Sequence, residues 1–295
     1  SGSHVEWVEE ESFFFKLSAW EKKLLDFYDK NEKFILPISR RNEVINFVKS
    51  GLKDLSVSRT SFHWGIKVPN NSNHVIYVWL DALTNYLSAL NYPNINENLY
   101  KNFWPASLHV IGKDILRFHA IYWPAFLLAA KIKPPVRVFS HGWILSGEEK
   151  MSKSKGNILN PVEIIDKYGV DEVRYYLMKE VSHGSDGNIS LRSLENCINS
   201  DLANNYGNLC QRVFSFIKNN CKNKIKKNNK FSSSDKKLLN QTTLLTNSLR
   251  KEMNNQNLNV YIKSVIDISF LTNKYVNDEE PWKLKKTDID KMNNI

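Results

Sequence analysis

Between Glu149 and Asn157 the chain carries three lysines, two serines and a glycine in nine residues. Lys150, Lys153 and Lys155 bring mobile ammonium groups. Ser152 and Ser154 bring further donors, and Gly156 gives the backbone freedom to turn. Neither a two-residue nor a 3.6-residue period fits the run, so it reads as a loop. Clustered point charges on a small glycine-flanked loop suit a polyanion such as a triphosphate. The bland alternative is a solvated surface loop. The Gly-x-x-x-x-Gly-Lys-Ser/Thr spacing of a P-loop is absent.

A second group of residues sits where apolar runs end. Gly112-Lys113-Asp114 follows the apolar stretch 108–111, and a glycine there permits close backbone approach to a ligand. Far downstream, Asn208 and Arg212 are four apart and share a helix face with Asn204. Amides and a guanidinium on one face offer a row of hydrogen-bonding groups. The plain alternatives are a helix-start carboxylate at Asp114, a surface charge at Arg212 and a packing anchor at Trp282.

Composition sets the bounds within which these residues act. A length of 295 residues allows one large domain or two modest ones. Hydrophobic residues make up 42%, with 15 Phe, 12 Tyr and 8 Trp, enough for a core. The formal charge of +10 favours an acidic partner, with nucleic acid ahead of an anionic membrane. Asparagine and lysine are heavily used, which inflates that charge and weakens the inference. Cys197, Cys210 and Cys221 form no Cys-x-x-Cys pair, so neither a zinc site nor a disulfide framework is expected, and a reducing compartment fits. No signal peptide or membrane span is visible; the apolar stretch 120–130 is too short and contains Pro124. Ser1-Gly2-Ser3-His4 reads equally as a cloning remnant or a native loop.

The elements that must position the chemistry can be read in outline. Residues 5–15 suggest a strand. Ser18 is a candidate cap for a helix carrying Leu24, Leu25, Phe27 and Tyr28. A helix is expected over 41–48, ended by Gly51. Residues 75–79 read as an apolar strand running into a helix over 81–90. Residues 108–111 and 136–140 read as two further strands, with a helix over 115–130 between them. Continuous apolar strands followed by helices predict a parallel α/β sheet that binds ligands near Trp79–Asp81 and Gly112–Asp114. After the lysine-rich loop, helices are expected over 161–168 and 170–180, with Asn160 as cap and Pro161 in the first position. Asp186-Gly187-Asn188 reads as a turn. From Ser190 the pattern is helical: 191–217 with a kink near Gly207, a basic linker over 218–229, then helices over 235–250 and 258–276. A boundary near residue 185 would separate the α/β part from a helical bundle.

The wording of several segments narrows this reading. Lys150-Met151-Ser152-Lys153-Ser154 is the KMSKS signature of class I aminoacyl-tRNA synthetases. Its company resembles the methionyl-tRNA synthetase family. Val5-Glu6-Trp7-Val8-Glu9-Glu10-Glu11-Ser12 resembles the exit from that family's connective insert. Tyr77-Val78-Trp79-Leu80-Asp81-Ala82-Leu83 resembles its methionine-pocket strand. His109-Val110-Ile111-Gly112-Lys113-Asp114-Ile115 with Phe118-His119 resembles another active-site segment. The four segments in this order are highly specific, and the likeness covers nearly the whole chain.

The resemblance implies a Rossmann-type α/β fold, the second half of a class I catalytic domain, followed by an all-α anticodon-binding bundle. It implies the end of the connective insert over 1–55, the C-terminal half of the catalytic domain over 56–184, and the anticodon-binding domain over 185–295. It implies activation of L-methionine with ATP and Mg2+ to methionyl-adenylate, then transfer to tRNA(Met). Lys150 and Lys153 would be catalytic, meeting charge that develops on the α-phosphate. Gly112, Asp114, His141, Gly142, Trp143, Met151, Ser152 and Ser154 would hold the nucleotide. Trp79, Leu83, Tyr86, Phe118 and His119 would hold methionine, because aromatic faces make favourable contacts with a thioether. Asn204, Asn208, Arg212 and Trp282 would read the anticodon, Trp282 by stacking. The family's His-x-Gly-His motif is not found here, so the N-terminal half of the enzyme is expected as a missing partner. The expected protein is a monomeric cytoplasmic ligase with no membrane association, inactive as this fragment. The competing readings are a non-catalytic tRNA-binding module and a small-molecule nucleotidyl transferase of related fold.

Overall fold

The computed structural model describes residues 9–147, 149–151, 159–225 and 230–295, with the backbone alone at 149 and 150. Ser152, Lys153, Ser154 and Gly156 of the signature lie outside the described residues, as do the start of the acidic run and positions 226–229 of the linker. The chain divides into two compact units, Ser1–His141 and Gly142–Ile295.

In the first unit, β1 (Phe14–Phe15) pairs antiparallel with β3 (Leu55–Ser56). Between them lie α1 (Glu21–Lys30), β2 (Ile35–Leu36) and α2 (Ile38–Lys49). Ser18 does not cap α1. It sits in the preceding 3-10 turn, Leu17–Trp20, and its hydroxyl donates to Asp54 at 2.6 Å. The helix expected over 41–48 starts three residues earlier, directly after Pro37, and Gly51 follows it at φ +97°. That conformation is open to glycine without a Cβ penalty.

β4 (Ser58–Arg59), β5 (Lys67–Val68) and β6 (Asn71–Ile76) form a small antiparallel sheet with β6 in the middle. This corrects the reading of 75–79. The strand stops at Ile76, and α3 (Val78–Ser88) begins two residues later, so Trp79 stands on the first turn of a helix. Its strand also belongs to this antiparallel sheet and not to the parallel one. After α4 (Asn98–Phe103), β7 (His109–Gly112) pairs parallel with β8 (Val138–His141), and β8 pairs parallel with β2, giving the order β2-β8-β7.

The connection from β7 to β8 is helical but not uniform. A 3-10 turn at Lys113–Ile115 leads to a π-helical turn at Phe118–Tyr122 and then α5 (Trp123–Ala129). One core gathers Tyr28, Phe34, Val44, Ile111, Leu116 and Val138 between the sheet and its helices. A second gathers Leu83, Leu87, Trp104, Trp123, Phe126 and Leu127 beneath α3.

The second unit opens with β9 (Ile144–Ser146), flanked by β10 (Glu149–Lys150) and by β11 (Gly187–Ile189). Two expectations change here. Glu149 and Lys150, read as loop, pair with Ser146 and Leu145, and the expected turn at Asp186-Gly187-Asn188 runs into a strand parallel to β9. α6 (Pro161–Tyr168) and α7 (Val170–Glu180) keep the expected bounds. Asn160 accepts from the Val162 amide and caps α6. The long helix expected over 191–217 is three segments: α8 (Leu191–Cys197), a π-helical stretch Ile198–Gly207, and α9 (Asn208–Asn220). α10 (Ser233–Asn254) and α11 (Leu258–Glu279) form the longest pair. Glu280, left-handed at φ 45°, breaks the chain before α12 (Pro281–Leu284) and α13 (Ile289–Asn294). Among the described residues no helix is long and apolar enough to cross a membrane.

Candidate functional site

Each unit contributes its own set of candidate residues. In the first unit, α3 and the π-helical turn bring together all five residues of the expected apolar pocket. The rings of Trp79 and Phe118 stack, centroids 3.7 Å apart and planes 17° apart. The Tyr86 hydroxyl is 2.9 Å from His119 Nε2, and His119 Nδ1 is 3.0 Å from the Ile115 carbonyl. Leu83, one turn after Trp79, is fully buried below them, with Trp79, Tyr86 and Phe118 packed against its cluster. Burial lowers the pKa of His119 from the usual imidazole range and raises that of Tyr86, so both are neutral near pH 7.

Behind this cluster stands a residue to which sequence reading gave no role of its own. His109, on β7, is buried, and its ring lies 4.2 Å from that of Tyr86 and 6.2 Å from that of His119. Desolvation, then the neighbouring His119, pushes its pKa down to about 4. Its Nε2 is buried without a partner, as is the indole nitrogen of Trp123. The signal was available: His109 and Ile111 alternate with Val110 along the strand, which places the imidazole on the buried face.

Gly112, Asp114 and His141 meet at the C-terminal ends of the parallel strands, the usual ligand side of such sheets. Gly112 is the register partner of His141. A Cβ on Gly112 would lie 2.6 Å from an Asp114 carboxylate oxygen and 3.8 Å from the His141 ring. The glycine therefore keeps open a small cradle faced by a carboxylate and an imidazole. Asp114 itself is exposed.

In the second unit, Gly142 is buried against backbone. A Cβ there would come within 2.2 Å of the Ser185 carbonyl group. The Trp143 amide donates to Asp186 at 2.9 Å, and its carbonyl accepts from Gly187. Met151 packs, partly buried, against the cluster of Val173, Tyr176, Ile189 and Leu194. Lys150 is described by its β10 backbone alone.

Arg212 is the hinge of the helical candidates. It lines two cavities. One, of about 750 Å3, is polar and includes Asn204, Asn205, Asn208 and Asn273. The other, of about 420 Å3, is mostly apolar and includes Phe216, Val276 and the partly exposed Trp282. Thus Arg212 is the residue common to both, while Asn204 and Asn208 line one and Trp282 the other. Arg212 donates to Asn277 Oδ1 at 2.5 Å and to Asn273 Oδ1 at 2.7 Å. Among the described residues no group of three or more His, Cys, Asp or Glu is placed to hold a metal ion.

With this geometry in hand, comparison with known proteins is informative. Residues 1–214 match the family described as tRNA synthetases class I (M). The methionine–tRNA ligase of Brucella suis biovar 1 is 50% identical over 294 residues, covering 100% of this chain and 57% of the relative. That of Rickettsia felis is 52% identical over 300 residues, covering 100% and 58%. Among solved structures, Mycobacterium tuberculosis methionyl-tRNA synthetase in complex with methionyl-adenylate superimposes with a TM-score of 0.95 at 45% identity, covering 99% of this chain and 58% of that one. The apo form of the same protein gives 0.91 at 42% identity. The chain thus spans somewhat more than half the length of these relatives.

Proposed function

The chain belongs to the class I tRNA synthetases, and from that premise we propose that it carries the methionine pocket, part of the nucleotide site and the anticodon-reading unit of a methionine–tRNA ligase. In the complete protein L-methionine would be activated by ATP to methionyl-adenylate and passed to tRNA(Met). On this reading, 1–55 leads out of the connective insert, 56–184 serves catalysis and 185–295 reads the tRNA.

The observation that carries the proposal is the aromatic pocket. Trp79 and Phe118 offer apolar faces for a thioether, Leu83 forms the floor, and the neutral Tyr86–His119 pair supplies the few polar atoms. A pocket of this kind discriminates by shape, since one methylene is worth only about 1–3 kcal/mol. The cradle at Gly112 fits a ribose, with Asp114 able to accept from its hydroxyls and His141 beside it. From the family likeness, Gly142, Trp143, Met151, Ser152 and Ser154 would also contact the nucleotide. Mg2+ would arrive on the triphosphate, which suits an ion that keeps its waters and prefers phosphate oxygens to a protein cage.

No nucleophilic side chain is needed, because the methionine carboxylate attacks the α-phosphate and pyrophosphate leaves. Positioning and electrostatics do the work. Lys150 and Lys153 would meet the developing charge, a role that can lower a barrier by about 2.7–4 kcal/mol per donor. Asn204, Asn208, Arg212 and Trp282 would read anticodon bases.

The open flank of β7 supports a missing partner. Among the described residues β7 has a strand on one side only, and Val110 on it is 55% exposed. An apolar side chain so exposed on a parallel strand fits cover from the remaining part that relatives possess. A monomeric, cytoplasmic enzyme completes the proposal.

Methionine-dependent ATP–pyrophosphate exchange by the full-length protein tests it. Exchange should require methionine, and Lys153→Ala should abolish exchange while leaving methionine binding nearly intact. Full-length protein without exchange, yet still binding tRNA, would favour the non-catalytic reading. Equal losses of exchange and methionine binding would remove the role given to Lys153.

A further inference from the structure

We propose that Asn273 is a positioning residue for RNA, fixing the plane of Arg212 through neutral amides so that the guanidinium keeps its full charge for a nucleotide. The inference rests on the anticodon reading of Arg212 and extends it to residues that do not themselves reach the bases.

The geometry is a chain of amides. Asn205, only 3% exposed on the π-helical stretch, donates from Nδ2 to the Ile266 carbonyl at 3.5 Å. Asn273, on α11, donates from Nδ2 to the Asn205 side-chain oxygen at 2.8 Å and to its backbone carbonyl at 3.0 Å. Asn273 Oδ1 then accepts from Arg212 Nη2 at 2.7 Å, and Asn277 Oδ1, one turn further along α11, accepts from Nη1. Arg212 has donors and no acceptor. An amide nitrogen facing it would be unsatisfied, so Asn273 can point only its oxygen there. Its nitrogen is then committed to Asn205. The polarity of the whole relay follows from the guanidinium at its end.

The choice of amides has an electrostatic consequence. A carboxylate at either position would grip the guanidinium more tightly, because charge-assisted bonds are stronger. It would also cancel the charge. The partners found here orient Arg212 without neutralising it. Arg212 thus stays an oriented cation with no carboxylate paired to it among the described residues. For an RNA ligand that charge matters directly, since each neutralised phosphate on a single strand contributes a slope of about 0.7 to the salt dependence of binding.

The test uses the 295-residue chain and two short RNA hairpins, one with a CAU loop and one with that loop replaced. Affinity is measured by fluorescence anisotropy between low and moderate salt. Asn273→Ala should weaken the CAU hairpin by about tenfold, the scale of one lost hydrogen bond to a charged group. It should shrink the preference for CAU while leaving the salt slope unchanged. Asn273→Asp should weaken both hairpins and make the slope shallower by roughly one phosphate contact. Asn277→Asp, at an exposed site, reads the charge effect alone if either Asn273 variant misfolds. Asn273 and Asn277 variants that match the wild type in preference and slope, beside an Arg212→Ala that loses both, would overturn the proposal. An Arg212→Ala that binds like the wild type would remove the anticodon reading and this inference together.

Discussion

Tyr86 Oη and His119 Nε2, 2.9 Å apart, admit one proton arrangement. His119 Nδ1 faces the Ile115 carbonyl, which can only accept, so Nδ1 carries the hydrogen. Nε2 is then the acceptor and the tyrosine hydroxyl donates. The pocket therefore presents a neutral imidazole whose lone pair is already engaged. Tyr86→Phe would remove the donor and leave a buried acceptor unpaired. The variant should lose about 1–3 kcal/mol of unfolding free energy, read from its denaturant midpoint. A midpoint equal to that of the wild type would contradict the hydrogen bond between Tyr86 and His119.

The acid sensitivity of the first unit should depend on His109. Its folded pKa, about 4, lies below the 6.5 of an unperturbed imidazole. The unfolded chain thus binds the proton first. The contribution of neutral His109 is complete above about pH 6.5 and is lost as pH falls toward 4, on the order of 3 kcal/mol in all. Thermal melts of the wild type and His109→Phe from pH 7 to 4 should converge or cross as the wild type weakens. Parallel curves would show that His109 does not titrate in this window.

A buried ion pair should be fragile to single changes and tolerant of a double one. Lys179 lies 2.6 Å from Asp201, whose carboxylate also accepts from Tyr175 at 2.7 Å and Ser200 at 2.8 Å. The Asp201 side chain is 7% exposed and that of Lys179 is 23% exposed. Lys179→Met should destabilise by roughly 3 kcal/mol, because it strands a buried carboxylate. Adding Asp201→Asn should restore part of that loss. A double-mutant cycle with no coupling would refute the pairing.

Gly142 should not accept a methyl group. Its neighbour is the Ser185 backbone, which has no rotamer with which to give way. Gly142→Ala should lower stability by about 1–3 kcal/mol or more, and should loosen the amide protection of β9 and β11 in hydrogen exchange. An unchanged exchange pattern would mean that the two segments separate easily.

Local chemistry made some of this legible in the chain. α6 and α7 fell where expected because Asn160, Pro161 and Gly169 punctuate them within a few residues. The aromatics expected to act together do lie together, although Trp79 was given to a strand. An apolar run of 75–79 has no period that separates a strand end from a helix start. Other features depend on distant partners. Gly187–Ile189 is a strand only because β9 offers it an edge, and the turn signal of Asp186-Gly187 says nothing of that. His109 was given no role of its own because a motif draws attention to its glycine and acid, while burial belongs to the fold. Asn273 and Asn277 carried no signal at all, since their partner Arg212 lies more than sixty positions earlier.

The widened turn at Phe118–Tyr122 has an evolutionary corollary. An α-helix rotates about 100° per residue, and a π-helical turn holds roughly one residue more than an α-turn. Deleting a single position there would restore the ordinary pitch and still leave Trp123, Phe126 and Leu127 facing the cluster they fill. This segment is therefore the place in the connection that can be shortened by one codon without turning its flanks.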